Sequence, residues 1–580
     1  MKKAIIYLLL IISLSISSKN ILRFKGNNIN QLQMNTDVLV SGFKTGFLEQ
    51  LARSNNKMSA QILCAASPRN WKPQPILGKS SLISRTSEIK KNNVSYIKSN
   101  EDLSFAKRKG DVLFGILDQY TEEEIVLSKI HYVPFVDNVI YFQLGTEYFK
   151  RHYEIIDSRW FGFVSDLVLD KDNNYVSGTD NSEKLIKLLA YSGNLKISKG
   201  NYFFNSNDFK VKSNTTLDLG GSVLKYKSTS IYSPFLTLGG EKFLSEYINL
   251  LNGKIIGNKN ELATVTEWMH GISIIEAKNI RIENIESNLN RGDGLYIGMN
   301  NEIEENRSKF IEIVDCVFDR NHRQGCSVVS GQNITFTNAK FINTSGTAPQ
   351  SGLDIEPNSY KSGFRDLCMN IKFNNCEFSG NASTGACVYG ILNNGTNTDD
   401  ISNIEFNNSI FSKNSAIGIE FRACKNIKVD NCIVNAVENG ILFSDAVYRN
   451  VAITNTKVFG NKSGVGIYII ANSSDLISED IKIDNCEVYN FGRYGVLVEE
   501  KSITFLKEFV FTNNTVHHNY HNVHIQKGVI NAVYSGNRST KVGLDADNKK
   551  YPGWTFGWEF SKGDEAKSRK DLDGKSDQKQ

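Results

Sequence analysis

Along the middle of the chain a four-residue pattern recurs: glycine, apolar, any residue, apolar. It reads GISI at Gly271, GLYI at Gly294, GCSV at Gly325, GLDI at Gly352 and GACV at Gly385. It continues as GIEF at Gly418, GILF at Gly440, GIYI at Gly466 and GVLV at Gly495, with NVHI at Asn522 as a degenerate last copy. Alternation of this kind marks a short, half-buried strand. Successive copies start 22 to 33 residues apart. Between them lie further alternating segments, such as FIEIVDCVF from Phe310 and NIKFNNCEF from Asn370, each ending in a small polar corner. A period of this length with short strands, Asn/Gly corners and no helical pattern predicts a solenoid. The repeats vary by whole loops while the strand pattern holds, which fits coils stacked as parallel strands ~4.8 Å apart. A propeller would need four strands per repeat, and these hold two or three. The expected fold is therefore all-β, a parallel β-helix from about Asn214 to Asn537, with a capping helix near Ser182 to Ala190.

The ends of the chain lack this pattern. Residues 1–18 (MKKAIIYLLLIISLSISS) combine a basic start at Lys2 and Lys3, a short apolar run and small Ser residues. This is the form of a secretory signal peptide, and it predicts a secreted protein, periplasmic or extracellular, of a bacterium. The apolar run is short for a membrane span of ~20 residues. The first cysteine is Cys64, so a lipid anchor behind the apolar run is not expected. No later stretch is long and apolar enough to span a bilayer. Residues 19–152 read as a small mixed domain or elaborated cap, residues 153–540 as the β-helix, and residues 541–580 as an extension. That extension ends in the charged, aperiodic SKGDEAKSRKDLDGKSDQKQ, the composition of a disordered tail.

The segment before the first repeats adds a resemblance. IIDSRWFGFVSD from Ile155 is followed by DNSEKLIKLLAYSGNLKISKGNYFF from Asp180. With the repeats, it resembles the right-handed parallel β-helix proteins of the pectate-lyase-like superfamily. The likeness is to bacterial and phage-tailspike polysaccharide depolymerases, in which a short helix caps the solenoid and a P-x-G-x-Y hairpin opens the first coil. Here SKGNYFF stands in that place with Ser198 for the proline. The resemblance covers roughly Tyr153 to Asn537 and implies a right-handed coil and a polysaccharide substrate.

Composition narrows the classes. Of 580 residues 22% are charged and 40% hydrophobic, and the formal charge is +5. That mild charge permits an acidic substrate without requiring one. No Lys/Arg stripe interleaves with aromatics, so nucleic acid is not an expected partner. The nine cysteines are scattered and recur at equivalent strand positions, as small buried hydrophobes do. No His/Cys cluster has metal-ligand spacing and no cofactor is indicated. A calcium ion is compatible with the sequence, but nothing calls for one. Oligomeric state is left open.

Candidate chemistry lies on the outward positions. Residues two and four after each glycine should face away from the core. The first set runs Ser273, Tyr296, Ser327, Asp354, Cys387, Glu420; the second includes Glu356, Tyr389 and Arg422. Adjacent corners add Arg291 and Asp293, then His322 and Arg323, with His270 just before Gly271. The expected catalytic residues are Asp354, Glu356, Glu420 and Asp293. The expected substrate-binding residues are Arg323, His322, Arg291, Arg422, Tyr296, Tyr389 and His270, with the two tyrosines offering flat faces to sugars. Exposed carboxylates on a solvated sheet are commonplace, and Arg422 could simply balance Glu356. The convergence of acids, arginines, a histidine and tyrosines within about five coils is what points to a site.

Glycoside hydrolysis needs one carboxylic acid for the leaving oxygen and one carboxylate to attack or to activate water. Same-face residues on one strand lie ~6.5 Å apart, and two coils give about 9.6 Å, near the ~6.5–9.5 Å of an inverting pair. The expected function is a secreted enzyme cleaving glycosidic bonds in an extracellular polysaccharide. Hydrolysis is favoured over elimination because carboxylates outnumber neutral bases. The alternatives are a lyase or C5-epimerase acting on a uronate-containing glycan, and a non-catalytic glycan-binding solenoid. RGDG at Arg291 and HG at His270 are similar to strand starts of polygalacturonases, in reversed order and without that family's paired Asp. GLDIEP at Gly352 is similar in placement to the GFDPHE of mannuronan epimerases, with Glu356 where that family has His.

Overall fold

A computed structural model describes residues 96–97 and 106–560, apart from short stretches at 133–134, 231, 242, 263–266, 394–395, 398–399, 472–477, 501–505, 527, 553–554 and 556. The expected signal peptide, most of the region up to residue 105 and the charged tail lie outside the described residues.

The described residues up to Arg151 form a small sheet. Val112–Asp118 pairs antiparallel with Lys107–Lys109 and Glu124–Ile130, and parallel with Tyr96–Ile97. Glu147–Arg151 and Tyr141–Leu144 extend it as an antiparallel meander. Leu113, Ile116, Ile125, Leu127, Phe142 and Phe149 give it a core of its own. Arg151 ties the sheet to the turn at Trp160. Its guanidinium pairs with buried Asp118 at 2.7 Å and lies 3.6 Å over the Trp160 ring, a charge and a cation–π contact shared by one side chain.

From Ile156 the chain winds into coils, and each coil contributes to three parallel ladders. The first ladder runs through Ser308–Val314, Gly331–Thr337, Cys368–Asn374 and Ile401–Asn407. A second runs through Val317–Asp319, Lys340–Ile342, Glu377–Ser379 and Ile410–Asn414. The third is a 13-stranded sheet holding every Gly-apolar-any-apolar copy, from Phe209–Val211 to Trp558–Phe560. The coil is longer than the sequence pattern alone predicts. Ile156–Asp157 pairs with Gly193–Lys196, which pairs with Thr215–Tyr226, so parallel pairing starts well before Asn214. At the other end Trp558–Phe560 adds a rung to His521–Ile525, beyond Asn537. The first coils escape the repeat pattern because a helix, Ser182–Leu189, and a long insertion interrupt them.

Register-matched stacking explains the composition. Parallel in-register coils place like residues on like. Phe336, Phe373 and Phe406 stack with centroids 4.7 and 4.8 Å apart, and Phe341, Phe378 and Phe411 at 4.9 and 4.6 Å. Offset aromatic stacks of this kind add to the area they bury. Asparagine fills the corners. Asn370, Asn403, Asn426 and Asn450 all have φ near +55°, a conformation that Asn tolerates better than most residues. Their side-chain amides form a ladder of hydrogen bonds 2.7–3.1 Å long. The eight described cysteines are all buried and free, consistent with their reading as small core residues. No helix among the described residues is long and apolar enough to cross a membrane.

Candidate active site

The third ladder sets the site. Its inward residues are the core: Leu353 and Ile355 are fully buried. Its outward residues align coil on coil, with Ser273 against Tyr296, then Ser327, Asp354, Cys387 and Glu420. The corner before each strand aligns as well. The Gly294 N–H donates to the Gln324 carbonyl, and the Gly325 N–H to that of Ser351. Asp293, Gln324 and Ser351 therefore follow one another on successive coils, next to the outward column.

Two carboxyls meet there. Asp293 is fully buried, and its Oδ2 lies 3.2 Å from Arg323 Nη1 and 3.2 Å from His270 Nδ1. His270 Nδ1 also accepts the Asp293 backbone N–H at 3.1 Å. One nitrogen cannot accept from the amide and donate to the carboxylate at once. A ring with bare Nδ1 makes the first contact and a ring carrying a proton on Nδ1 the second. Asp354 is 2% exposed, and its Oδ2 accepts from Gln324 Nε2 at 3.0 Å. The orientation of that amide is fixed, because Gln324 Oε1 accepts the Ser351 N–H at 3.0 Å. Asp354 Oδ1 is buried and makes no hydrogen bond among the described residues.

Their environments drive the two acids apart. Burial alone would lift Asp293, but the Arg323 charge and then His270 hold it below the ordinary carboxylate range. For Asp354 burial dominates, the negative charge of Glu356 adds to it, and Arg323 only partly offsets them. Its carboxyl is pushed up to about 7. Arg323 is pushed up in turn, chiefly by Asp293 and then by Asp354. One guanidinium thus acts on two carboxyls, one held low and one pushed up to the neutral range.

Residues 311–481 match the family model described as "Right handed beta helix region". The chain is a right-handed parallel β-helix protein. Among curated proteins, an uncharacterized protein YclG of Bacillus subtilis (strain 168) is 26% identical over 277 residues. The match takes in 44% of this chain and 44% of that relative's length. Among solved structures, the tailspike gp49 of the Acinetobacter baumannii bacteriophage Fri1, a capsular polysaccharide depolymerase, is 15% identical with a TM-score of 0.47. That likeness covers 80% of this chain and 77% of the tailspike chain. The A-module of the Azotobacter vinelandii mannuronan C-5 epimerase AlgE4 is 13% identical with a TM-score of 0.47, over 66% of this chain and 100% of the module. These structural likenesses are of fold.

The β-helix brings some of the sequence-predicted residues together and separates others. Asp293, Asp354, Arg323 and His270 converge. Tyr296 joins them, but its ring stacks on His270, with centroids 4.7 Å apart and planes 11° from parallel. One of its two faces is therefore taken, which corrects the expectation of a freely offered sugar platform. Tyr389 is tied down too, its hydroxyl donating to Glu420 Oε2 at 2.6 Å. Glu420 lies two coils beyond Asp354 in the same column. Glu356 is exposed just past the Asp354 strand. Arg422 is exposed, aligned with Tyr389 and without an ion pair to Glu356 among the described residues. Arg291 is only 2% exposed and sits near Tyr226, beneath the corner and away from solvent. His322 packs in the next corner, its Nε2 2.9 Å from Thr347 Oγ1, and burial together with the Lys259 and Arg291 charges keeps it below its ordinary range.

The largest correction concerns Asp354. Outward direction on a strand implies solvent, yet this carboxyl is covered. Gln324, from the corner one coil before, bonds to it and is itself held by the Ser351 N–H, and Cys387 follows it in the column. Sequence reading missed Gln324, whose place one residue before a repeat glycine was the available signal. It also missed Glu267, whose charge acts on Arg323, and the exposed Trp268 beside it. No group of three or more His, Cys, Asp or Glu side chains able to hold a metal occurs among the described residues.

Proposed function

We propose that the protein is a secreted enzyme that hydrolyses glycosidic bonds in an extracellular polysaccharide. Asp354 acts as general acid and Asp293 as the carboxylate that activates water. The observation that carries this reading is two carboxyls beside one guanidinium, Asp293 paired with Arg323 in its corner and Asp354 two coils on in the outward column, with environments that drive them apart. A protonated acid near neutral pH can protonate a leaving oxygen, and an ionised partner can take a proton from water. Two coils at ~4.8 Å place them about 9.6 Å apart along the stack, at the upper end for an inverting pair. Both carboxyls lie under the surface, so access requires Arg323, which is 19% exposed at its side chain, to swing aside. An acidic sugar would draw it out.

Arg323 also favours a second reading. A guanidinium beside a uronate carboxylate stabilises the charge formed when the neighbouring proton is removed, as in a lyase or C5-epimerase, with His270 or Tyr296 near enough to serve as base.

The deciding experiment incubates the protein with alginate, polygalacturonate, hyaluronan and dextran and reads new reducing ends together with absorbance of an unsaturated uronate. Reducing ends alone mean hydrolysis, and both signals mean elimination. Neither signal on any polysaccharide that binds overturns cleavage and leaves epimerisation or simple glycan binding.

A further inference from the structure

Immediately N-terminal to the acid pair, two large aromatic side chains stand in solvent. Trp268 is 52% exposed and Tyr232 76%. Tyr and Trp carry a flat apolar face with a polar handle, a combination enriched at interfaces. They occupy equivalent corners of successive coils. The Phe235 N–H donates to the His270 carbonyl at 2.9 Å, which places the Tyr232 corner alongside the Trp268 corner. The Trp268 corner is fixed on both sides. The His270 N–H donates to the Trp268 carbonyl at 3.0 Å, and the Gly292 N–H to the Met269 carbonyl at 2.8 Å. Asn207 Nδ2 bonds the Ser233 carbonyl at 2.7 Å and lies 3.7 Å from Met269 Sδ, which joins the two corners from below. The surface is continuous with the site. His270, two residues after Trp268, contacts Asp293, and the Glu267 charge reaches Arg323.

We propose that Trp268 and Tyr232 form a sugar-binding subsite that holds the glycan on the N-terminal side of the acid pair. Its ligand is a pyranose unit stacked by its C–H face on an aromatic ring. This rests on the reading of Asp293 and Asp354 as a glycan-cleaving pair. Trp268 lies one coil before Asp293 and three before Asp354, and Tyr232 one coil further still. A ligand reaching both the subsite and Asp354 must span ~14–19 Å by coil spacing, which requires several sugar units. Short oligosaccharides should therefore bind without the subsite and longer ones should need it.

The test uses full-length protein carrying Asp354→Asn, which blocks turnover, titrated calorimetrically with disaccharides and hexasaccharides of alginate, polygalacturonate, hyaluronan and dextran. Trp268→Ala and Tyr232→Ala are added singly and together. Both residues are exposed, so the melting temperature should not move. The double variant should lose roughly tenfold or more in hexasaccharide affinity, with disaccharide affinity unchanged. Equal hexasaccharide affinity with and without the aromatic pair, or equal losses for both lengths, overturns the subsite while leaving the acid pair standing. If wild type and Asp354→Asn bind none of the four glycans, the functional reading falls and the subsite with it.

Discussion

Arg323 pairs with Asp293 and reaches Asp354 only through its charge, and the two carboxyls are driven in opposite directions. Arg323 pairs with Asp293 at 3.2 Å, and it offsets only part of the burial that lifts Asp354 to about 7. Position in the coil produces the contrast. Asp293 sits in a corner, where His270 and Arg323 reach it. Asp354 sits mid-strand, where its hydrogen bond comes from a neutral amide.

Asp293→Asn and Asp354→Asn are each expected to lower turnover on a cleaved polysaccharide by ~10²–10⁴-fold, the usual worth of a general acid or base. Steady-state rates of the two variants against wild type check this. Glu356→Gln should cost far less, because Glu356 is exposed and acts on Asp354 through its charge.

The same two substitutions should move stability in opposite directions. Asp354 rises from its ordinary 3.8 to about 7 on folding. The folded state therefore holds a proton that the unfolded chain has lost, and this group reduces stability progressively as pH rises from about 4 to 7. Asp354→Asn should raise the melting temperature at pH 7.5, worth roughly 1–4 kcal/mol, with the gap closing toward pH 4. Asp293 is held low in the fold, so its stabilisation is present above the ordinary carboxylate range and fades as pH falls through its folded value. Asp293→Asn should lower the melting temperature at pH 7.5. Thermal melts across pH 4–8 measure both.

Arg323→Ala removes the charge that lowers both acids. Both limbs of the pH profile of kcat/KM should move to higher pH, since each reports one of the two carboxyls. An acidic glycan should lose more rate than a neutral one. A profile that falls in height without shifting would contradict the shared-guanidinium arrangement.

Phe373→Ala should cost about 3–5 kcal/mol, the usual penalty for emptying an aromatic core position. Phe373 stacks between Phe336 and Phe406 and is fully buried. Urea unfolding monitors the loss. Because the acid pair lies on another ladder, the rate per folded molecule should stay near wild type.

Much of this fold was legible in the sequence because a parallel coil repeats its own environment. The Gly-apolar-any-apolar strands, the Asn corners and the buried cysteines all follow from one register, and each is visible as a repeat. The helix at Ser182–Leu189 was expected through the resemblance of the segment before the first repeats to capped solenoids. The early coils from Ile156 were not, because their strands are separated by insertions that break the period. For the site, alternation gave the direction of Asp354 but not its burial. Burial depends on which corners close over the face, and corners carry no periodicity. Asp293, Arg323 and His270 were found as polar residues in neighbouring corners. Gln324 was missed because its role depends on the Ser351 N–H one coil away, a contact that only register supplies.

The most direct test of the acid-pair assignment is the anomeric configuration of the first product, read by proton NMR during early turnover on a polysaccharide the protein cleaves. Carboxyls two coils apart leave room for a water between acid and base, and the account predicts an inverted anomeric centre. Retention of configuration, or an unsaturated uronate in place of a new hemiacetal, would contradict it.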